Sequence, residues 1–484
     1  MKTLLLNPMT SQAGNVVRDV LYGCWCKGNR IGGGTVPPFN LLVMTALLRR
    51  EGLEADFLDA QALQMKPEEV GARINAYGLV LMTTSTMSFL EDAAYLAQLK
   101  KLNPALVTAV FGSHPTFMPR PCLEHPGIDH VVMFEPEETV LELARALSDG
   151  QPTDAILGLG SRGADGRPLL NDKRPFLEDL DWLPHPDVDL LPKGIHYFNP
   201  LVRRMPYMTT TTSKGCPGKC IFCTAPTFDG KVFRRQSFEH VMDQLRTFAA
   251  KGVKEVYFRD DTFFVDRQRD HAICRAIIDE KLDLTWIANA RVNMIDEETM
   301  ALAKKAGCHT LKFGVESGSQ EILDGIKKGY KLEQGLRMFK AARKIGLSTH
   351  AHVMIGNPGD TAQTIEQTID YVLALDPTTA TFGICTPYPG TPLFERVREL
   401  APEIADGSAT DLARLHTEGM FNKHYCHVDQ DELPKLVRKA YRRFYLRPGY
   451  WLQTARELLR NTDDLKRVAL SSTRLFEFIF RGKD

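Results

Sequence analysis

The sequence predicts an α/β protein built from a doubly wound parallel sheet, a second run of six strand–helix units, and a helical C-terminal region. Three observations predict it. Five short apolar runs in the first 150 residues alternate with helix-patterned segments, and repeated units of this length build a parallel sheet. A Gly-, Pro- and Asp-rich stretch over residues 151–200 interrupts the pattern and reads as a linker. From Pro206 six further strand–helix units recur up to about residue 400. The expected division is therefore 1–150, 151–200, 201–400 and 401–484, within the roughly two to four domains that the length allows.

The first strand is predicted over Lys2–Leu6. A helix is expected from Pro37-Pro38, since Pro suits a first helical turn, with Phe39, Leu42, Val43, Ala46 and Leu47 on one face and Gly52 as its stop. Strands follow at Ala55–Leu58, Leu79–Met82, Leu106–Phe111 and Val131–Met133, and Glu137–Leu147 closes the unit as a helix. Ligands of such sheets bind at the carboxyl ends of the strands. Those ends carry Asn7 to Thr10, then Thr83 to Thr86, then Gly112-Ser113-His114-Pro115-Thr116. Small hydroxyls there suit phosphate or amide groups, and equally suit helix capping. Gly23 to Gly34 contains Cys24, Trp25, Cys26 and three consecutive glycines, which favour close approach to a ligand or a mobile loop.

In the second half, strands are predicted over Tyr207–Thr212, Val253–Phe258, Thr285–Asn289, Thr310–Val315, Ser348–Ile355 and Thr379–Thr386. The first runs into Gly215-Cys216-Pro217-Gly218-Lys219-Cys220-Ile221-Phe222-Cys223. Three thiolates in so short a loop bind three corners of an iron–sulfur cluster, whereas ordinary electron-transfer clusters take four Cys ligands. The next cysteines in sequence are Cys122 and Cys274, so no fourth lies nearby. An open iron accepts a small molecule, which makes the loop catalytic. The alternatives are three unrelated thiols or a zinc knuckle short of a ligand, and structural zinc takes four.

The Cys-x3-Cys-x2-Cys spacing with Phe222 before the last Cys resembles the cluster motif of the radical S-adenosylmethionine (AdoMet) family. The resemblance implies a [4Fe-4S] cluster on Cys216, Cys220 and Cys223 within a partial (β/α)6 barrel. Its open iron chelates AdoMet, whose reductive cleavage yields methionine and a 5′-deoxyadenosyl radical. It also implies that Phe222 borders the adenine and Asp261, after the second barrel strand with Asp260, meets the amino group. Arg291 is expected at the carboxylate, and Glu316 with Ser317 at the ribose and carboxylate. A carboxylate suits two ribose hydroxyls because it accepts two hydrogen bonds. Capping and ordinary ion pairs are the alternative roles.

A Rossmann-like domain ahead of such a barrel resembles the cobalamin-binding domain of class B radical AdoMet enzymes. Gly112 to Thr116 resembles the family's Gly-Gly-Pro-His-Pro-Thr stretch. Asp129-x-Val131-x-x-Phe134-Glu135-Pro136-Glu137 is similar to Asp-x-Val-x-x-Gly-Glu-Gly-Glu, with Phe134 and Pro136 in place of the glycines. Thr83, Ser85, Gly112, His114 and Thr116 are the expected cobalamin contacts. The Asp-x-His-x-x-Gly motif that ligates cobalt elsewhere is missing, so a His ligand from that position is not expected.

His350 and His352 alternate along a strand and so share a face, expected to point inward. Tyr388 follows the sixth strand and is placed to relay a proton or hydrogen atom. Between Lys435 and Asp484 there are 13 Lys/Arg against five Asp/Glu, although the whole chain has 60 of each sign. This basic end suits a solvated face, an anionic substrate or peripheral membrane contact. Its Arg443-Phe444-Tyr445-Leu446-Arg447-Pro448 run resembles proteins related to anaerobic magnesium-protoporphyrin monomethyl ester cyclase. The neutral balance argues against nucleic acid. Ten cysteines, no secretory signal and no long apolar stretch point to a reducing cytoplasm.

The resemblance implies methylation of an unactivated carbon of a small-molecule substrate, with a reductant such as flavodoxin or ferredoxin. Two alternatives stay open. The same cofactors also serve oxidative cyclisation, hydroxylation or rearrangement, and a non-catalytic cobalamin or redox sensor would carry the same domains.

Overall fold

The structure, a computed structural model, describes residues 1–9, 16–18, 35–402 and 421–452. Two parallel sheets organise it. The first contains β1 (Thr3–Asn7), β2 (Ala55–Asp59), β3 (Leu79–Thr83), β4 (Val107–Phe111), β5 (His130–Val132), β6 (Leu159–Arg162) and β7 (Pro168–Leu170) in the order β2-β1-β3-β4-β5-β6-β7. The strands β1 to β5 are parallel; β1, β3, β4 and β5 are short, mostly apolar and buried on both faces, as a sheet covered by helices requires, and the edge strand β2 is partly exposed. The order reverses between β1 and β3, which creates a ligand crevice at their carboxyl ends.

One expectation needs correction. The composition of 151–200 suggested no core element, yet β6 and β7 fold back antiparallel onto β5 and bury Leu159. Gly163 and Gly166, which read as linker residues, belong to the turn of this hairpin.

Next come β8 (Tyr207–Thr210), a two-stranded ribbon of β9 (Ser213–Lys214) and β10 (Arg234–Arg235), and then β11 (Glu255–Phe258), β12 (Thr285–Ala290), β13 (Cys308–Glu316), β14 (Ser348–Ile355) and β15 (Thr379–Ile384). The six barrel strands are all parallel in the order β15-β14-β13-β12-β11-β8, an open half-barrel. Alternation separates its faces. Leu311, Phe313, Val315, Ala351, Val353, Ile355, Ala380 and Phe382 pack under the outer helices. Lys312, Gly314, His350, His352, Thr379 and Thr381 occupy the alternate, inward positions, so both histidines lie where the sequence placed them.

An open barrel has two edges, and unpaired edges invite association. The β8 edge is covered by the first domain: Thr209 donates to the Pro37 carbonyl at 2.9 Å and Tyr207 to that of Thr35 at 3.0 Å. The β15 edge is covered by the helix Leu433–Tyr445. Tyr445 donates to the Ala380 carbonyl and accepts from its amide at 2.7 and 3.1 Å, and Tyr441 accepts from the Phe382 amide at 3.3 Å. These tyrosines satisfy backbone groups that a seventh strand would otherwise pair.

The aromatic residues of the basic C-terminal run therefore face the barrel. Several of its cations are matched: Lys439 and Arg443 pair with Glu366, Arg443 with Asp370 at 2.8 Å, and Arg447 with Asp376 at 2.8 Å. No described helix is long and apolar enough to cross a membrane. The loop with Cys24, Trp25 and Cys26, together with Thr10 and residues 453–484, lies outside the described residues.

Candidate functional site

The carboxyl ends of the two sheets face each other. Past β4, Phe117 meets Phe228 of the barrel with ring centroids 6.3 Å apart, and Gly390, after β15, lies directly against the Phe117 ring. Past β5, Glu135 accepts from Arg234 at 2.7 Å and Glu137 from Lys214 at 2.6 Å. Lys214 and Arg234 belong to the β9–β10 ribbon that flanks the cysteine loop. Burial opposes ionisation of Glu135, but Lys214 and Arg234 hold its carboxyl below the usual carboxylate range. Burial likewise opposes the Lys214 ammonium, while Glu137 and Glu135 raise its pKa. This clasp joins residues 77 and 99 positions apart. Only Glu135 and Glu137 stood out in sequence, as part of a motif.

Phe134 keeps a left-handed backbone, φ +63°, where the resembling motif has glycine. That conformation costs a β-carbon about 1–2 kcal/mol. Its amide donates to Thr116 Oγ1 at 2.8 Å, its ring packs edge-on against Phe117 and Phe176, and Lys173 lies 3.8 Å over it. These contacts offset the strain.

The cysteine loop is anchored at both ends of its second half. Ile221 donates to the Ile326 carbonyl at 3.2 Å and accepts from the Leu393 amide at 2.9 Å. Cys216 and Cys220 are 6% and 5% exposed, and Cys223 is half-buried. Burial, then Asp261, raises the pKa of the Cys216 and Cys223 thiols, so three thiolates here require a cation. Among the described residues no three His, Cys, Asp or Glu converge on a single ion position. The other described cysteines are buried elsewhere in the fold. The loop thus fits an iron–sulfur cluster with three protein ligands.

Around it, Arg291 donates to Cys220 Sγ at 3.5 Å and to the Lys328 carbonyl at 2.6 Å, and its Nε has no partner. The Asp261 carboxyl lies close enough to Cys216 and Cys223 to raise both thiols. Asp260 differs from it: one carboxylate oxygen accepts from the Thr212 amide, the Thr212 hydroxyl and Ser213, so Asp260 fixes the approach to the loop. Glu316, 7% exposed, ends β13 with φ +65° and accepts from Lys328 at 2.6 Å. Lys328 also stands 5.9 Å over the Phe222 ring. Nothing in the sequence singled out Lys328. Ser317 is fully buried, bonded to Thr368 at 3.1 Å and to the Ser319 amide at 3.1 Å. A β-carbon on Gly314 would stand 2.2 Å from Glu316 Oε1 and 2.5 Å from Lys328 Nζ, so glycine leaves room for this pair. Tyr388 is buried beyond β15.

At the first sheet's crevice, Thr83 is 3% exposed and its hydroxyl has no partner. It borders a cavity of about 10 Å³ with Asn7 and Arg18, room for one water at most. Gly112 has φ +124°, and a β-carbon there would stand 2.5 Å from the Thr84 carbonyl oxygen. The other expected contacts bond within the domain. Ser85 meets Ser88 at 3.1 Å, His114 meets Thr86 at 3.2 Å, and Thr116 donates to the Gly112 carbonyl at 2.8 Å. Burial lowers the His114 pKa to about 3. A tight glycine turn, an unsatisfied hydroxyl and a surface already turned toward the barrel fit a large flat cofactor recognised by shape.

Comparison with known proteins agrees. Residues 210–372 match the Radical SAM superfamily model, and residues 32–144 match the B12 binding domain. An uncharacterized methyltransferase of Pyrococcus horikoshii is 34% identical over 424 residues, 87% of this chain and 90% of that protein. The anaerobic magnesium-protoporphyrin IX monomethyl ester cyclase of Rubrivivax gelatinosus is 26% identical over 427 residues, 86% and 75% of the two chains. Among solved structures, the radical S-adenosylmethionine methyltransferase TsrM from Kitasatospora setae, with tryptophan and a SAM analog bound, superposes with a TM-score of 0.69 at 21% identity. That match covers 92% of this chain and 89% of the other, and it shows the shared fold. A [4Fe-4S] cluster, AdoMet and cobalamin are accordingly the cofactors. The chain belongs to the cobalamin-dependent radical SAM methyltransferase family.

Proposed function

We propose that this enzyme methylates an unactivated carbon of a small-molecule substrate held between the two facing strand ends. The observation that carries the reading is that facing arrangement: a corrinoid held at the crevice of β1, β3 and β4 would lie on the side turned to the barrel mouth. When bound, the cluster supplies the electron that cleaves AdoMet and cobalamin supplies the methyl group. The chain's own work is to bind, orient and exclude water.

Cys216, Cys220 and Cys223 would hold the cluster, and the Arg291 guanidinium, 3.5 Å from Cys220 Sγ, would balance thiolate charge and receive the AdoMet carboxylate. Asp261 accepts from the AdoMet amino group. Glu316, preset by Lys328, accepts from the ribose hydroxyls, with Ser317 as the buried prop behind it and the Phe222 backbone along the adenine. Thr83, Ser85, Gly112, His114 and Thr116 frame the corrin. The Glu135–Arg234 and Glu137–Lys214 pairs hold the two halves together, and Asn422 and Tyr425 close the far side by bonding the Cys385 carbonyl at 3.0 and 2.9 Å. A flavodoxin or ferredoxin in the cytoplasm is the proposed reductant.

The test is reaction of the anaerobically reconstituted enzyme with methyl-labelled AdoMet, a reductant and candidate substrates. Methylation predicts label in the product together with 5′-deoxyadenosine. An unlabelled product alongside 5′-deoxyadenosine would favour the ring-forming chemistry of the cyclase relative. An intact cluster that never cleaves AdoMet would favour a sensor.

A further inference from the structure

The inward face of the half-barrel is partly accessible, and one of its cations has no carboxylate partner among the described residues. Inward residues Asn289, Lys312, Gly314, His352, Thr381 and Gly383 remain partly accessible, while their outward neighbours Phe313, Val315, Val353 and Phe382 are buried. At the top, Glu316 is matched by Lys328 at 2.6 Å. At the bottom, Glu255 is matched by His309 at 2.8 Å and by the backbone amides of Arg203 and Arg204. Lys312 lies between these layers and has no carboxylate partner among the described residues; its ammonium donates to the Tyr257 hydroxyl.

Lys312 faces further donors. It pairs in register with His350, which pairs with Thr379; one row higher, Gly314, His352 and Thr381 align. His350 bonds Thr379 at 2.7 Å and His352 bonds Thr381 at 3.0 Å, with the two rings 4.6 Å apart. His352 bonds through Nδ1, and its Nε2 has no partner among the described residues. Burial first lowers both histidine pKa values, that of His350 to about 3, so each ring is neutral; His350 spends both ring nitrogens on Thr379 and Thr381, whereas His352 leaves its Nε2 available. A row of N–H and O–H donors around one unmatched ammonium is the chemistry of an anion site.

We propose that Lys312, with Tyr257 and His352, forms the subsite for an anionic group, a carboxylate or a phosphate, on the substrate. The proposal rests on the functional reading above and narrows its substrate class. Lys312 lies two strand residues, about 7 Å, below Gly314, the position over which the Glu316 carboxylate and Lys328 ammonium sit. The anion is therefore seated deep in the barrel, and the carbon to be methylated lies toward the mouth. The Glu316–Lys328 pair sits over Gly314 between them and marks the upper limit of the subsite. Lys312 anchors the substrate through charge, with no part in the chemistry itself.

The test uses enzyme carrying cluster and cobalamin, saturated with AdoMet so that the AdoMet carboxylate site is filled. Inorganic phosphate and acetate are titrated separately by calorimetry. Wild type is expected to show one saturable site for at least one anion, and the preferred anion identifies the group. Lys312→Gln is expected to weaken that site by about tenfold or more, and Lys312→Arg by no more than about threefold, because a charged hydrogen bond is lost in the first and kept in the second. Wild type that binds neither anion, or Lys312→Gln binding as tightly as wild type, would overturn the proposal. Cofactor absorbance checks folding of each variant, and the wild-type and Arg titrations decide even if the Gln variant does not fold. Failure of the functional reading would appear separately, as wild type that binds the anion yet forms no 5′-deoxyadenosine.

Discussion

The two facing strand ends solve opposite problems. In the first sheet the charged groups are matched and the Thr83 hydroxyl is an exception: Arg18 donates to Asp92 at 2.8 Å, Thr84 to Asp92 at 2.7 Å, Asn7 to Asp59 at 2.8 Å and Tyr197 to Asp59 at 2.8 Å. At the barrel mouth burial raises the pKa of the Cys216 and Cys223 thiols and of the Asp261 carboxyl, and the Arg291 Nε has no partner. A satisfied polar network is rigid and recognises a ligand by shape, whereas unmet groups are costly unless a charged guest arrives. The contrast fits a large corrin on one side and an iron cluster with a zwitterionic sulfonium on the other.

Substitutions should separate the two ends by the kind of loss. Cys220→Ala is expected to bring 5′-deoxyadenosine formation down to background while the first domain keeps its corrinoid, as read by chromatography and by absorbance. Retained cleavage would contradict the assignment of this thiolate. Glu135→Ala leaves the largely buried Arg234 without its carboxylate while Lys214 keeps Glu137, a loss of about 3 kcal/mol. It should lower Tm and separate the halves, so that methyl transfer falls further than AdoMet cleavage. Gly112→Ala places a β-carbon against the Thr84 carbonyl at positive φ, and about 2 kcal/mol of strain is expected. Corrinoid content should drop in that variant while cluster content stays.

Much of this contrast was legible in the chain, and the exceptions share a cause. The cysteine loop is contiguous, so its chemistry survives in one dimension. The strand period put His350 and His352 inward. Lys328, Lys312 and the Lys214–Glu137 clasp were not legible, because each matters only through a partner on another element. Lys312 also sits in an apolar strand beside Leu311 and Phe313, where nothing marks it as facing a cavity. The β6–β7 hairpin was missed because Gly163-Ala164-Asp165-Gly166 has the composition of a linker and of a tight turn alike. Phe134 shows the reverse case: the motif's glycine is gone, but aromatic packing retains the backbone shape.

Smaller effects sharpen the comparison further. Glu316→Gln keeps an acceptor but loses the charge that pairs with Lys328, and AdoMet affinity should weaken about tenfold, measured by equilibrium binding. In the first domain, burial lowers the pKa of His114 to about 3 and of His130 to about 4. The unfolded chain takes up those protons below about pH 6.5 and the folded domain does not, so stability is complete above that pH and declines as pH falls toward 4. Thermal melts between about pH 7 and pH 5 should show the decline, and His130→Gln should reduce it.

The most direct test of the central claim is electron paramagnetic resonance of the reduced cluster, recorded with and without AdoMet. An iron left open by Cys216, Cys220 and Cys223 predicts that AdoMet changes the spectrum by binding the cluster itself. A spectrum indifferent to AdoMet, from a cluster saturated by four thiolates, would contradict the account.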